Sequence, residues 1–449
     1  MTSGALSRPV KSLIETIIGA SGFTNVTVFG SKVAGGVGNG GKTGALVVVV
    51  GVGVGDAEVL AGVGEELVAA GVGEVVGEAE VVVVGEDVGE AVVVVVGEDV
   101  GEVVVVGEVV GEAVVLEGGA GYIRSHVVYD LLCRDYGVIV VDNLSNSDGL
   151  NLDNIAKSNY WGSALYNYYG DCGEIERFDP RDVVGVIHFA AYKSVGESVR
   201  NPLKYYSNNI NSLLNVLEYV GRYKIPNLIF SSSCTVYGEP FSVPVTENEP
   251  IKSSPSPYGQ TKIICERIIQ DFYAKNRWVN ILSLRYFNPI GGYSNIPIGE
   301  NPTGGYESLM SRLNRWALGL DNFIIYGDDY DTSDGTAIRD YLDVGDLSRC
   351  HIECLENIMQ KGGSYSVYNV GTGHGTSVKS LVNKYLEVNG IKNKIVEVGE
   401  RRGGDIDAIY ADASKIANEI GFRCRVNLED SLRASYEWHK YLVSKGYMA

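Results

Sequence analysis

The hydrophobic pattern divides the chain into two unlike parts. From about residue 44 to 111, valine runs are punctuated by Gly-Glu, as in Val81 to Asp87 and Val92 to Asp99. Valine favours strands and Gly-Glu favours turns, so short strands or hairpins are one expectation for this stretch. Uniform valine specifies neither register nor a unique packing, however. Disorder held open by charge, or an aggregation-prone β segment, is therefore the stronger expectation, and no function is assigned to it.

From Glu112 onward the pattern becomes that of a globular α/β protein. Ala113 to Leu116 reads as a short buried strand, and Gly118-Gly-Ala-Gly121-Tyr-Ile opens a helix running through Leu132. Val138 to Asp142 is a second strand and Val183 to Ala191 another; Leu213, Leu217 and Val220 mark an amphipathic helix before the strand Leu228 to Ser231. Strands alternating with helices predict a doubly wound parallel sheet of the Rossmann kind. Later segments, including helices near 377–388 and 428–441, suit a smaller C-terminal domain over the sheet edge where ligands bind. The expected division is an N-terminal segment of unknown role (1–43), the low-complexity stretch (44–111), a dinucleotide-binding domain (112–289) and a mainly substrate-binding domain (290–449). Some segments of the last return to the sheet.

At 449 residues there is room for two or three domains with ample core. The formal charge of −19 is unevenly placed: no basic residue lies between Lys42 and Arg124, while 16 carboxylates lie from Asp56 to Glu117. The remainder is nearly balanced, and no basic cluster argues for nucleic acid. Seven scattered cysteines fit a reducing compartment, and a cytoplasmic location is expected. Cys350 and Cys354 lie one turn apart around His351, but no second ligand pair exists elsewhere, so buried thiols and no metal are expected. The N-terminus lacks an apolar signal core, and the longest apolar run, Gly44 to Gly55, is too short and glycine-rich to span a bilayer. Gly36 to Thr43 matches the phosphate-loop pattern GxxxxGK[ST], yet Gly44 to Val50 reads as strand where such a loop requires a helix.

The chemistry lies further on. Tyr258 and Lys262 are four residues apart, one helical turn on one face. An ammonium beside a phenol favours the phenolate and lowers its pKa from about 10. Ser233, delivered from a strand end, can pass a proton between a substrate hydroxyl and that tyrosine. Such a set oxidises a secondary alcohol beside a nicotinamide ring. The turn Gly118 to Gly121 lets a pyrophosphate approach backbone N–H groups, and Asp142 is placed to accept from ribose hydroxyls, which predicts NAD over NADP. Two residues depart from that fingerprint. Arg124 stands where a third glycine would let the helix lie close, so it must push the helix away or escape toward the phosphates. Glu117 places a carboxylate near the pyrophosphate position.

Residues 112–449 resemble the UDP-glucose (UDP-galactose) 4-epimerases of the extended short-chain dehydrogenase/reductase family. The resemblance rests on Gly118-Gly-Ala-Gly-Tyr-Ile, Asp142-Asn-Leu-Ser-Asn-Ser147, the stretch His188 to Ser198, the serine and tyrosine motifs, Leu284-Arg-Tyr-Phe-Asn288-Pro, Arg339-Asp-Tyr and Arg401-Arg-Gly-Gly-Asp405. It implies Tyr258 as catalytic base, Lys262 as its partner and a ribose ligand, and Ser233 as relay and substrate contact. By the same resemblance Gly118, Gly121, Tyr122, Ile123, Asp142, Asn143, Asp171, Cys172, Phe189, Ala190, Lys193, Asn208 and Tyr286 would contact NAD. Asn288, Ser308, Leu309, Tyr326, Arg339, Arg402 and Asp405 would hold a UDP-hexose. The implied reaction is C4 oxidation, rotation of the 4-keto sugar in the pocket and re-reduction from its other face, interconverting UDP-galactose and UDP-glucose. A homodimer through a helical face is a further implication.

The chain departs from the family pattern at Tyr306-Glu-Ser-Leu309, where Ser308 takes the place of an amide side chain. Asp343 replaces a histidine, Ser212-Leu213 replaces Gly-Thr, and Ile409 stands at the position tied to N-acetylated sugars. Three alternatives stay open: a 4-epimerase of another UDP-sugar, a catalytically impaired nucleotide-binding homologue, or a scaffold assembled through the valine-rich stretch.

Overall fold

The computed structural model describes residues 112–158, 165–170, 175, 180, 182–303, 305–403 and 405–448, together with the backbone of four short strands between 58 and 107. The chain forms two compact units, Met1–Glu108 and Val109–Ala449. In the first, Glu58–Val63 pairs antiparallel with Glu66–Gly71, and Val92–Val95 pairs antiparallel with Val104–Gly107. The phosphate-loop match at 36–43 lies outside the described residues.

The second unit is built on a seven-stranded, wholly parallel sheet. Its strands in chain order are β1 (Ala113–Glu117), β2 (Gly137–Asp142), β3 (Leu165–Tyr169), β4 (Val183–His188), β5 (Asn227–Ser233), β6 (Asn280–Tyr286) and β7 (Tyr365–Val370). Their spatial order is β7-β6-β5-β4-β1-β2-β3. The expected doubly wound parallel sheet is therefore present, with the order reversing between β1 and β4. Strand β1, flanked by β4 and β2, shows why an unbroken apolar run forms here. Strand side chains alternate in direction, so Val114 and Leu116 enter one core and Ala113 and Val115 the other.

The helices of this unit, among the described residues, are α1 (Tyr122–Leu132), α2 (Leu150–Lys157), α3 (Val195–Arg200), α4 (Pro202–Tyr223), α5 (Pro257–Lys275), α6 (Leu309–Ala317), α7 (Val344–Ile358), α8 (Val378–Val388), α9 (Ser414–Glu419) and α10 (Leu428–Ser444). On one face α1 packs with α7, burying Val127, Val128, Leu131, Leu347 and Leu355 against the sheet. On the other, α4 packs with α5 through Leu213, Val216, Leu217, Val220, Cys265 and Ile269. A third core, including Leu313, Trp316, Phe323, Leu381, Tyr385 and Leu432, joins α6, α8 and α10.

Candidate active site

Register brings the reactive ends level. Glu117 pairs with Val141 of β2 and His188 of β4, and Ser233 of β5 pairs with Tyr286 of β6. At the point where strand order reverses, one cavity is lined by Gly118, Gly121, Tyr122, Ile123, Asp142, Asn143, Phe189, Ala190, Lys193, Asn208, Ser233, Tyr258, Lys262, Tyr286, Asn288, Ser308 and Leu309. An open α/β sheet places its ligand crevice at such a point.

The glycine turn is built for close approach. Gly118 has φ +84°, and a methyl added to it would come within 2.9 Å of the Ala190 backbone. Asp142 closes the turn: its Oδ2 accepts from Ala120 N at 2.8 Å and its Oδ1 from Leu144 N at 2.8 Å. The main-chain carbonyl of Glu117 accepts from Phe189 N at 3.0 Å and Ala190 N at 3.1 Å, which ties the start of the turn to the end of β4.

The side chain of Glu117 pairs with His188 Nδ1; both residues are buried, and Glu117 Oε1 finds no donor among the described residues. Strand alternation is the cause, because Glu117 and His188 are register partners whose side chains leave the sheet on the same face. Of the two outcomes expected for Arg124, the structure shows the second. Its guanidinium reaches back over the turn, donating to the Phe189 carbonyl at 2.7 Å and lying 3.7 Å from Asp142 Oδ2.

The Ser/Tyr/Lys set comes from two elements. Ser233 ends β5 and accepts from Thr235 N at 3.2 Å and from Thr235 Oγ1 at 3.0 Å. Helix α5 starts where Ser256 accepts from Gly259 N at 3.2 Å and Pro257 occupies the first position, so Tyr258 and Lys262 share its first turns. Lys262 is placed on a backbone carbonyl. Its Nζ donates to the Ser231 carbonyl at 2.6 Å and lies 4.9 Å from the centre of the Phe230 ring. Burial pushes the Tyr258 phenol up to about 12, while a hydrogen bond with Ser233 and the charge of Arg124 pull it down. Burial likewise lowers Lys262 to about 8.

Tyr286 sits beyond Ser233, its hydroxyl 2.5 Å from His351 Nε2, in a setting where burial raises the phenol far above its ordinary value. Cys350 and Cys354 on α7 are fully buried in the apolar core. Among the described residues no group of three metal-ligating side chains is assembled. Lys193 Nζ lies 3.5 Å from Glu300 Oε1, Asn208 Nδ2 donates to Asn209 Oδ1 at 3.1 Å, and Ser308 caps α6 while donating to Glu300 Oε2 at 2.6 Å.

Tyr326, Arg339, Arg402 and Asp405 form a separate group that does not line this cavity. Arg402 stacks 4.0 Å from the centre of the Tyr326 ring, Arg312 Nη1 donates to the Tyr326 hydroxyl at 3.1 Å, and Arg339 pairs with Asp405. Asp171 and Cys172 lie outside the described residues. Sequence reasoning missed Glu300, Arg312 and the Ser231 carbonyl. Arg312 had a signal, since it stands one helical turn beyond Ser308 on the same face. Asp343, where the family pattern has a histidine, caps α7, accepts from Ser431 Oγ at 2.6 Å and is raised to about 6 by burial.

Comparison with known proteins gives the family. Residues 115–435 match the family model described as GDP-mannose 4,6 dehydratase. The chain is 39% identical over 338 residues to UDP-glucose 4-epimerase of Bacillus subtilis (strain 168), covering 74% of this chain and 98% of that protein. It is 40% identical over 333 residues to UDP-glucose 4-epimerase 2 of Arabidopsis thaliana, covering 73% and 95%. The solved structure of UDP-glucose 4-epimerase from Bifidobacterium longum, in complex with NAD+ and UDP, is similar with a TM-score of 0.69 and 36% identity over 73% of this chain and 98% of that one. By fold, order of motifs and extent of match, the chain belongs to the UDP-glucose 4-epimerase family of extended short-chain dehydrogenases/reductases.

Proposed function

We propose that this protein interconverts UDP-galactose and UDP-glucose with NAD as its resident cofactor. The observation that carries the reading is that one cavity at the reversal of strand order holds Ser233, Tyr258 and Lys262 together with the Gly118–Gly121 turn and Asp142. The residues present fit a dinucleotide: the turn tolerates no side chain at Gly118, and Asp142 stands at the end of β2 where ribose hydroxyls are accepted. Gly118, Gly121, Asp142, Phe189, Lys193 and Lys262 would hold it, and when bound its nicotinamide supplies a reversible hydride acceptor.

The protein's own part is proton handling and anchoring. Tyr258 takes the proton of the substrate's C4 hydroxyl, with Ser233 on the same cavity wall able to pass that proton across. Lys262, one helical turn from Tyr258 on α5, would hold the cofactor ribose and favour the phenolate. Asn288, Ser308 and Leu309 line the substrate end of the cavity. Arg339, Arg402 and Tyr326 offer paired donors for a diphosphate and an aromatic face for a base. Anchoring by the UDP moiety leaves the hexose free to turn between its two faces. Among the described residues six cysteines are free and four of them buried, which supports a reducing, cytoplasmic setting, and no helix is long and apolar enough to cross a membrane.

The experiment is to denature purified protein, quantify released nicotinamide dinucleotide per chain, and assay UDP-galactose turnover. Near-stoichiometric NAD with turnover is expected. A protein that carries NAD and binds UDP without turning over UDP-galactose would be an impaired homologue or act on another UDP-sugar.

A further inference from the structure

We propose that Arg124 is a diphosphate ligand of the dinucleotide site, adding a guanidinium to a turn that otherwise offers only backbone N–H groups. This rests on the NAD reading above. Arg124 is the third residue of α1, and helical side chains lean back toward the N-terminus, which lays this one over the glycine turn. The fit is close. A methyl built on Gly118 would meet Arg124 Nη1 at 2.7 Å, and one built on Gly121 would meet its Cδ at 3.2 Å and Nε at 3.4 Å. The guanidinium thus occupies the concavity into which a pyrophosphate settles.

Its present partners are weak for so strong a donor. One is the neutral Phe189 carbonyl, and the other is Asp142 at 3.7 Å, beyond hydrogen-bond reach. The remaining basic side chains on the cavity wall are engaged elsewhere, Lys193 with Glu300 and Lys262 with the Ser231 carbonyl. A diphosphate offers paired anionic oxygens matched to the guanidinium fork, adding an opposite full charge and a second parallel N–H···O bond that a single neutral carbonyl does not supply. Exchanging a carbonyl for a diphosphate is therefore favourable, and it requires only a small swing because the side chain already lies across the turn.

The test compares the full chain with Arg124→Gln, Arg124→Lys and Arg124→Gly variants, stripped of cofactor. NADH, ADP-ribose and adenosine are titrated at low and high salt, with thermal unfolding as the check on folding. Arg124→Gln removes the charge and keeps a good helix former. It is expected to weaken NADH and ADP-ribose by about tenfold, flatten their salt dependence and leave adenosine unchanged. Arg124→Lys should retain the salt dependence. Tighter NADH binding by Arg124→Gly or Arg124→Gln would overturn the proposal, making the guanidinium an obstruction while leaving the NAD reading intact. If neither the original chain nor Arg124→Gly binds NADH, and the purified chain releases no nicotinamide, the NAD reading fails and this inference with it.

Discussion

Tyr258 meets opposing influences: burial raises its phenol to about 12, and Ser233 and Arg124 act against that rise. Removing the hydroxyl in Tyr258→Phe should lower UDP-galactose turnover by about a thousandfold, within the usual range for a general base. Nicotinamide content should be unchanged; an empty variant would make the phenol a cofactor anchor instead. Lys262 carries a stability prediction of its own. Its folded pKa of about 8 lies below its ordinary 10.5, so folding disfavours its charge. Below pH 8 the penalty is present in full, and stability rises as pH climbs from about 8 to 10.5. Lys262→Met should remove that rise and stabilise the protein near neutrality by about 2 kcal/mol while abolishing turnover. Denaturant titrations at the two ends of the window read it out, and an unchanged slope in the variant would contradict the assignment. The four-residue spacing of this pair was legible in the sequence. The lysine's carbonyl partner was not, because Ser231 reaches it only through the placement of β5 beside α5.

At the scale of elements, β5, β6 and α5 are locked together by a buried ion pair. Arg285 donates from Nε and Nη2 to the two oxygens of Glu266 at 2.9 and 2.6 Å, and Ser232 Oγ also donates to Glu266 at 2.6 Å. Glu266→Ala strands a buried guanidinium and should cost about 3–5 kcal/mol in urea unfolding. The double variant Glu266→Leu with Arg285→Met should recover much of that loss, since replacing both partners with apolar groups leaves no uncompensated charge. If the double variant is as unstable as the single, the pair is not the source of the loss. The alternation of strand and helix through β5 was readable from apolar runs and turn residues. The return of Tyr365–Val370 to the sheet beside β6 was readable only as a general expectation, since its pairing partner lies far earlier in the chain.

Across the whole molecule, acid sensitivity follows from buried imidazoles. His126, against Tyr122 and Tyr293, and His351, between Tyr286 and Phe189, are fully buried and held at about 4. The unfolded chain takes up protons near pH 6.5 that the folded one refuses until about 4, so stability is lost as pH falls through that window. Asp343, raised to about 6, acts in the opposite sense, gaining stability as pH falls toward 3.8. Of these three groups the two histidines outweigh the carboxyl, and their combined contribution is an expected loss of about 2 kcal/mol between pH 7 and 5 in chemical denaturation. A flat profile across that range would show the imidazoles reach water in solution. From the sequence alone came the α/β class, the glycine turn, Asp142, the Ser233–Tyr258–Lys262 set and the family, because each is written in local periodicity or short spacing. Tertiary structure alone decided where Glu117 and Arg124 point, what Lys262 touches and which arginines gather around Tyr326. Those outcomes depend on which face of a strand meets which neighbour, and that is set by the register of the sheet and the packing of distant helices.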